Sequence, residues 1–323
     1  MAVNAVVTYG EALVDMIEMP DGRFAAALGG SVCNFTIACA RQAMPVTYLN
    51  PLSVDSFGNG FARLLDDAGV TLASAQRSSH PTSLAIVTLD TGGSPSYAFH
   101  REGVADRDIT PQQACALLPS TPRLFHTGGL ALLPADLQKT EQVIAAAAAA
   151  GALISLDANM RPLACPDLAG YAAGVRRVLA QAHLVKVSEE DLQHLGFDGL
   201  APLDAARLLL AAPDTCLVAL TLGAEGAVLL TRSATVNVGT PAGLAVIDTV
   251  GCGDCFVAGL VQSLAQANLL APAALAQADA ATLERAGRRA VATASLNAMR
   301  EGCKPPTEEE VTRFLRGAEV LAA

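Results

Sequence analysis

Asp248-Thr249-Val250-Gly251-Cys252-Gly253-Asp254-Cys255-Phe256-Val257-Ala258-Gly259-Leu260 follows an apolar, β-favouring run (Leu244, Ala245, Val246, Ile247) and leads into an apolar stretch of helical character. Two glycines flanking one residue let a backbone turn sharply and bring its N–H groups close to an anion. A helix that starts there points its positive end at the same spot. Asp254 places a carboxylate inside this anion-binding turn. An acid at an anion site makes chemical sense when it handles a proton while phosphate is present. The stretch therefore points to phosphoryl transfer onto a hydroxyl, with Asp254 as the candidate base.

Two plainer readings fit the same residues. An Asp in the first turn of a helix complements the helix dipole, an effect worth about 0.3–1 kcal/mol. Gly-x-Gly after a strand also opens a dinucleotide fingerprint, but here Phe256 stands at the third glycine position and no acidic residue ends a second strand downstream. Pattern alone leaves open kinase chemistry, helix capping, and nucleotide binding without catalysis.

Composition narrows the class. The 323 residues suffice for one large α/β domain or two ordinary ones, and 52% hydrophobic content supplies a core. With 31 acidic against 21 basic residues the net charge is −10. That argues against a general nucleic-acid or membrane-surface binder, so any phosphate site must be built locally. The start of the chain has no basic region of a signal peptide. Its longest apolar stretch, Val143 to Ile154, is too short to span a bilayer. Eight cysteines lack a disulfide-framework spacing, and the expected location is the cytoplasm.

Short β-favouring runs alternate with helical ones, which predicts a mostly parallel sheet with helices on both faces. The expected strands are Val3–Tyr9, Val46–Asn50, Leu124–Thr127, Leu153–Asp157, Leu184–Val187 and Leu217–Thr221. The expected helices are Ser31–Gln42, Phe57–Ala68, Asp136–Ala150, Leu168–Ala182 and Ala205–Leu210, with a last one opened by the capping box Thr307-x-x-Glu310. Two hairpins break the rhythm: Leu13–Ile17 with Phe24–Leu28 across Asp21-Gly22, and Ser83–Asp90 with Ser96–Arg101 across Thr91–Ser94. Inserted hairpins of this kind predict a separate small sheet built from about residues 12–28 and 83–101, within a single domain spanning the chain.

The opening stretch resembles the C-terminal signature of the ribokinase-like (PfkB) carbohydrate kinases, D-T-x-G-A-G-D-x-F. A second signature of that family appears as Gly29-Gly30-Ser31-Val32-Cys33-Asn34. Gly10-Glu11-Ala12-Leu13-Val14-Asp15, Asp157-Ala158-Asn159-Met160-Arg161-Pro162 and Thr221-Leu222-Gly223-Ala224-Glu225-Gly226 follow in the expected order, so the resemblance runs from Val6 to Val311. It implies a ribokinase-like α/β fold with the small sheet as a lid over a sugar, and a homodimer contact through that lid. It further implies ATP and Mg²⁺ as cosubstrates. Asp254 would be the base, and the N–H groups of Gly251, Cys252, Gly253 and Asp254 the anion hole.

For the sugar, the resemblance points to Asp15, Gly29, Gly30, Asn34, Phe99, Arg101 and Arg161. Asn34 in an apolar helix start needs a polar partner, which a sugar hydroxyl would supply. Asp157-x-Asn159-x-Arg161-Pro162 is similar to fructokinases and to 2-keto-3-deoxygluconate kinases. Two free arginines converging on the sugar would favour the acidic substrate, because guanidinium matches carboxylate bidentately. The Gly-Glu-Ala-Leu-Val-Asp element and Phe125-His126-Thr127-Gly128 look more like fructokinases, so the expected reaction is fructose to fructose 6-phosphate. A nucleoside acceptor would want an aromatic platform, and the chain has 4% aromatics and no Trp. The rival of another class is a silent sugar- or nucleotide-binding regulator.

For the nucleotide, the resemblance implies Lys186, Ser188, Thr221, Gly223, Gly226, Asn297 and Gly302. It implies Mg²⁺ through water near Asp191, and K⁺ at the loop carrying Asp248 and Val250. Ser188 and Asp191 stand where the family has Asn and Glu, and Ser188 capping a helix is the plain alternative. Cys252 and Cys255 stand where alanine is common. Their Cys-Gly-Asp-Cys spacing at a helix start also fits a redox pair with lowered thiol pKa.

Overall fold

The computed structural model describes residues 6–89 and 95–322. Among the described residues, thirteen strands form two sheets. In chain order they are β1 Val6–Thr8, β2 Leu13–Glu18, β3 Phe24–Gly29, β4 Val46–Tyr48, β5 Thr71–Leu72, β6 Ser83–Leu89, β7 Pro95–His100, β8 Leu124–Gly128, β9 Leu153–Asp157, β10 Leu184–Ser188, β11 Leu217–Thr221, β12 Ala227–Leu230 and β13 Thr235–Val238. The large sheet runs β13-β12-β11-β10-β9-β8-β1-β4-β5, parallel from β11 through β5 and antiparallel only at the β12 and β13 edge. The small sheet runs β3-β2-β6-β7. Its two hairpins are joined by a parallel β2–β6 pair, with Asp15 opposite Ala85 and Ala85 opposite Phe99.

Alternate residues of the central strands feed two cores, which is why those strands read as continuous apolar runs. Phe125, Ile154, Val185 and Val218 face one side, where they meet α4 (Pro134–Ala149), α5 (Leu168–Leu179) and α7 (Pro202–Leu210). Leu124, Leu153, Leu184 and Leu217 face the other, against α1 (Ser31–Arg41), α8 (Cys252–Gln266) and α10 (Ala280–Ala298). A third cluster joins Val14 of the small sheet to Cys33 of α1 and to Phe61 and Leu65 of α2 (Ser56–Asp67). The remaining helices are α3 (Pro111–Ala116), α6 (Glu189–Leu192), α9 (Pro272–Leu275) and α11 (Glu308–Ala322). The capping box predicted for the last is present: Thr307 N–H donates to Glu310 Oε2 at 2.6 Å and Glu310 N–H to Thr307 Oγ1 at 3.2 Å.

The apolar run Leu244–Ile247 corrects one expectation: it forms no strand. The N–H groups of Ile247 and Asp248 both go to the Ala298 carbonyl at the end of α10, so no ladder forms, and Ile247 is 65% exposed. The first strand is Val6–Thr8; Val3–Ala5 of the predicted span, and the turn Thr91–Ser94, lie outside the described residues.

Strand order reverses at β1, which has β4 on one side and β8 on the other. In open α/β sheets, ligands bind beyond the carboxyl ends of the strands at such a switch point. β1, β8, β9, β10 and β11 end there in Thr8, Gly128, Asp157, Ser188 and Thr221.

Candidate active site

Asp254 lies in the first turn of α8 and is 8% exposed. Its Oδ2 accepts from Asn34 Nδ2 of α1 at 3.0 Å. The polar partner that Asn34 requires is therefore Asp254 itself, 220 residues away in sequence. Burial pushes the Asp254 carboxyl up to about 7, and nearby Asp157 adds to this; Asn34, Lys186 and Arg161 act the other way.

Gly251 caps α8 in the left-handed conformation (φ 73°). A side chain there would also overlap Cys303, so the turn needs glycine both for backbone and for space. The N–H groups of Gly251, Gly253 and Asp254 meet no backbone acceptor among the described residues, whereas that of Cys252 donates to the Thr249 carbonyl at 3.2 Å. This corrects the expected hole of four donors to three. The loop before the helix is fixed from behind. Asp248 accepts from Val250 N–H at 3.0 Å and Gly302 N–H at 2.8 Å. Asn297 donates to the Val250 carbonyl at 2.8 Å and accepts from Lys304 N–H at 2.8 Å. Asn297 and Gly302, expected at the nucleotide, thus anchor this loop.

Lys186, buried in the middle of β10, is a cation set against the turn. Its Nζ lies 3.1 Å from Asp157 Oδ1 and 3.9 Å from Asp191 Oδ2, and only 3.2 Å from where a side chain on Gly253 would begin. Burial works against its charge, but the two carboxylates hold its pKa above the ordinary lysine value. Ser188 and Asp191 form a capping box: Asp191 N–H donates to Ser188 Oγ at 3.0 Å, and Ser188 N–H to Asp191 Oδ2 at 2.8 Å. Asp191 Oδ1 accepts from Met160 N–H at 2.7 Å. Both oxygens of Asp191 help hold strand ends together, and an indirect role beside Mg²⁺ would rest on their remaining lone pairs. Thr221 Oγ1 donates to the Val187 carbonyl at 3.3 Å, and Gly223 and Gly226 form the turn after β11.

Asp15 and Phe99 share one face of the small sheet, two strands apart through Ala85. Burial raises the Asp15 carboxyl to about 6, with Arg161 opposing and Glu11 adding. Gly29 abuts Asp15: a Cβ there would lie 2.9 Å from its Oδ2. Gly30 caps α1 at φ 100°, and a Cβ would stand 2.8 Å from the Glu11 carbonyl. Arg161 donates to the Met160 carbonyl at 3.0 Å and has no carboxylate within 4.0 Å among the described residues.

Arg101 differs from expectation. It is buried, 2.7 Å from Asp106 Oδ2 and 3.7 Å from Asp136 Oδ2, and it donates to the Leu130 carbonyl at 3.2 Å. Two free arginines do not converge on the site. The Cys252/Cys255 expectation also changes, since burial pushes both thiols up rather than down and both cysteines are free. One residue received no role from sequence. Glu11 is 2% exposed, and its Oε1 accepts from Ser31 N–H at 3.0 Å and Ser31 Oγ at 2.9 Å. It fixes the Gly29–Gly30 turn; the signal was an acid in an otherwise apolar segment.

A family model, pfkB family carbohydrate kinase, matches residues 3–310. A fructokinase of Rhizobium leguminosarum bv. trifolii is 33% identical over 278 residues, covering 85% of this chain and 84% of that protein. The crystal structure of a fructokinase with bound ATP from Xylella fastidiosa superposes with a TM-score of 0.87 at 29% identity, over 98% of this chain and 99% of that one. A Vibrio cholerae O395 fructokinase bound to fructose, ADP and calcium gives 0.80 at 28% identity, over 97% and 99%. The chain belongs to the pfkB family of carbohydrate kinases. Within that family it is fructokinase-like, an ATP-dependent sugar kinase of ribokinase-like fold. Among the described residues no helix is long and apolar enough to cross a membrane.

Proposed function

We propose that this kinase phosphorylates fructose at the 6-hydroxyl, with Asp254 as general base and the N–H groups of Gly251, Gly253 and Asp254 as the anion hole. The observation that carries the reading is the buried Asp254 carboxyl, held by Asn34 at the start of α8 with a pKa of about 7. A base works best when its pKa lies near the working pH. The hydroxyl proton passes to Asp254 as the oxygen attacks the γ-phosphorus, and the bond to the ADP oxygen breaks in line. The three N–H donors and Lys186 meet the charge on the transferring group, each hole donor contributing about 2.7–4 kcal/mol. Asp15 and Asn34 accept and donate to sugar hydroxyls, Phe99 covers the ring, and Arg161 is the arginine left for the substrate.

Occupation of Arg101 by Asp106 and Asp136 supports fructose over 2-keto-3-deoxygluconate, since one arginine remains where an acid would want two. Mg²⁺ would neutralise charge on the nucleotide phosphates, with Asp191 the residue that would hold it through water. Asp248 and the Val250 carbonyl supply hard oxygens with lone pairs to spare, the donor type that suits K⁺. Exposed Ile17 and Phe24 suit the lid to contact with a second copy. The test is ADP release across fructose, 2-keto-3-deoxygluconate, ribose, glucose and nucleosides. Fructose is expected to give the highest kcat/KM. A higher value for 2-keto-3-deoxygluconate would replace this reading, and no turnover on any acceptor would favour a silent binding protein.

A further inference from the structure

α1 delivers Asn34 to Asp254, yet it opens without a capping side chain of its own. Its N-cap is Gly30, and its first turn contains no acid. The first N–H groups of a helix have no partner within it and must be satisfied from outside. Here a residue 20 positions before Ser31 does so. Glu11 Oε1 accepts from Ser31 N–H at 3.0 Å and from Ser31 Oγ at 2.9 Å, and the Glu11 carbonyl accepts from Cys33 N–H at 3.3 Å.

The Glu11 side chain is gripped from two further sides. Gly129, just past β8, packs on the same atoms: a Cβ there would lie 3.1 Å from Glu11 Oε1 and 2.7 Å from Ser31 Oγ. A Cβ on Gly30 would lie 3.2 Å from Glu11 Cγ. The carboxyl therefore has no room to swing away from the start of α1. Its Oε2 is buried without a hydrogen-bond partner, a cost in stability of the kind that folds carry at functional sites.

We propose that Glu11 is a positioning residue for phosphoryl transfer, a remote cap that fixes the start of α1 and through it the amide of Asn34 on Asp254. This rests on the reading of Asp254 as the base. The path is short and continuous. Glu11 Oε1 holds Ser31 N–H, Asn34 N–H closes onto the Gly30 carbonyl at 2.8 Å, and Asn34 Nδ2 donates to Asp254 Oδ2 at 3.0 Å. Asn34 steers the carboxyl only from a fixed helix start, because a first turn that frays moves every side chain on it.

The test compares Glu11→Gln, which keeps an acceptor oxygen for Ser31, with Glu11→Met, which keeps the length and removes the acceptor. Each is measured by the pH profile of kcat/KM and by Tm, with ATP and the acceptor that the wild type uses best. Glu11→Gln is expected within a few-fold of wild type. Glu11→Met is expected to lose about tenfold or more, the scale of loss when a reacting group is misplaced. Its profile should also move to higher pH, because the Asn34 hydrogen bond that favours ionised Asp254 is weakened. In an Asn34→Ala background Glu11→Met should lose no more than about twofold further, since a residue acting through Asn34 has nothing left to position. The full loss in that background overturns the proposal. So does an equal loss in Glu11→Gln and Glu11→Met, or a Glu11→Met variant with lowered Tm and an unchanged profile. Should Glu11→Met not fold, Glu11→Asp, whose shorter side chain withdraws the carboxyl from Ser31, is expected to show the same loss and shift, and a wild-type profile there overturns the proposal. Failure of the base assignment shows separately, as normal turnover by Asp254→Asn.

Discussion

At the residue scale, the proposed chemistry depends on one carboxyl held in two conflicting environments. Burial and Asp157 raise Asp254, while Asn34, Lys186 and Arg161 restrain the rise, leaving it at about 7. Since the base must be ionised to work, kcat/KM should climb with pH through a midpoint near 7 and level off above it. A profile flat from weakly acidic to weakly basic pH, or one that falls, would contradict the assignment. The glycine turn opening a helix, with Asp254 in its first turn, was legible in the sequence because its backbone geometry is local. The Asn34–Asp254 bond was not, since nothing in either neighbourhood says that residues 220 apart will meet. Arg101 misled for the converse reason: an arginine after an aromatic strand reads the same whether it faces a substrate or two buried aspartates.

At the scale of elements, the start of α8 is the working part. Gly251 holds a left-handed backbone and its Cα packs on Cys303, itself next to the Gly302 tie to Asp248. Gly251→Ala should cost on the order of 1–3 kcal/mol from backbone strain alone, and it should lower kcat far more than it lowers Tm if the displaced N–H groups are the proposed anion hole. Single-turnover rates and thermal melts of the variant check this; a normal rate with a lowered Tm would make the turn merely structural. Strands buried on both faces were legible as continuous apolar runs. The same signal failed at Leu244–Ile247, where the backbone bonds to the end of α10 instead of a strand. α10 itself was not anticipated: its packed face is largely alanine and glycine (Ala286, Gly287, Ala290), so the helical period is faint.

At the scale of the whole molecule, the small sheet is tied to the large domain at α4 through buried charge. Arg101, just after β7, reaches Asp106 and the first turn of α4 at Asp136, and Ser83 of β6 donates to the same Asp106. Arg101→Met should cost about 3–5 kcal/mol of stability, the usual penalty for leaving buried carboxylates unpaired, with KM for the sugar changing little in the folded fraction. A large rise in KM without loss of stability would return Arg101 to the substrate. The sheet with helices on both faces and the separate small sheet followed from the order of strand, hairpin and helix signals; how the small sheet is fastened did not, because ion pairing across elements leaves no periodic trace. The central claim is that Asp254 is the base for phosphorylating fructose. It is tested most directly by ADP release from ATP with saturating fructose in wild type and Asp254→Asn. Turnover in the wild type and a loss of about 10²–10⁴-fold in a variant that folds normally is the predicted result. Turnover in the variant within a few-fold of wild type would contradict it.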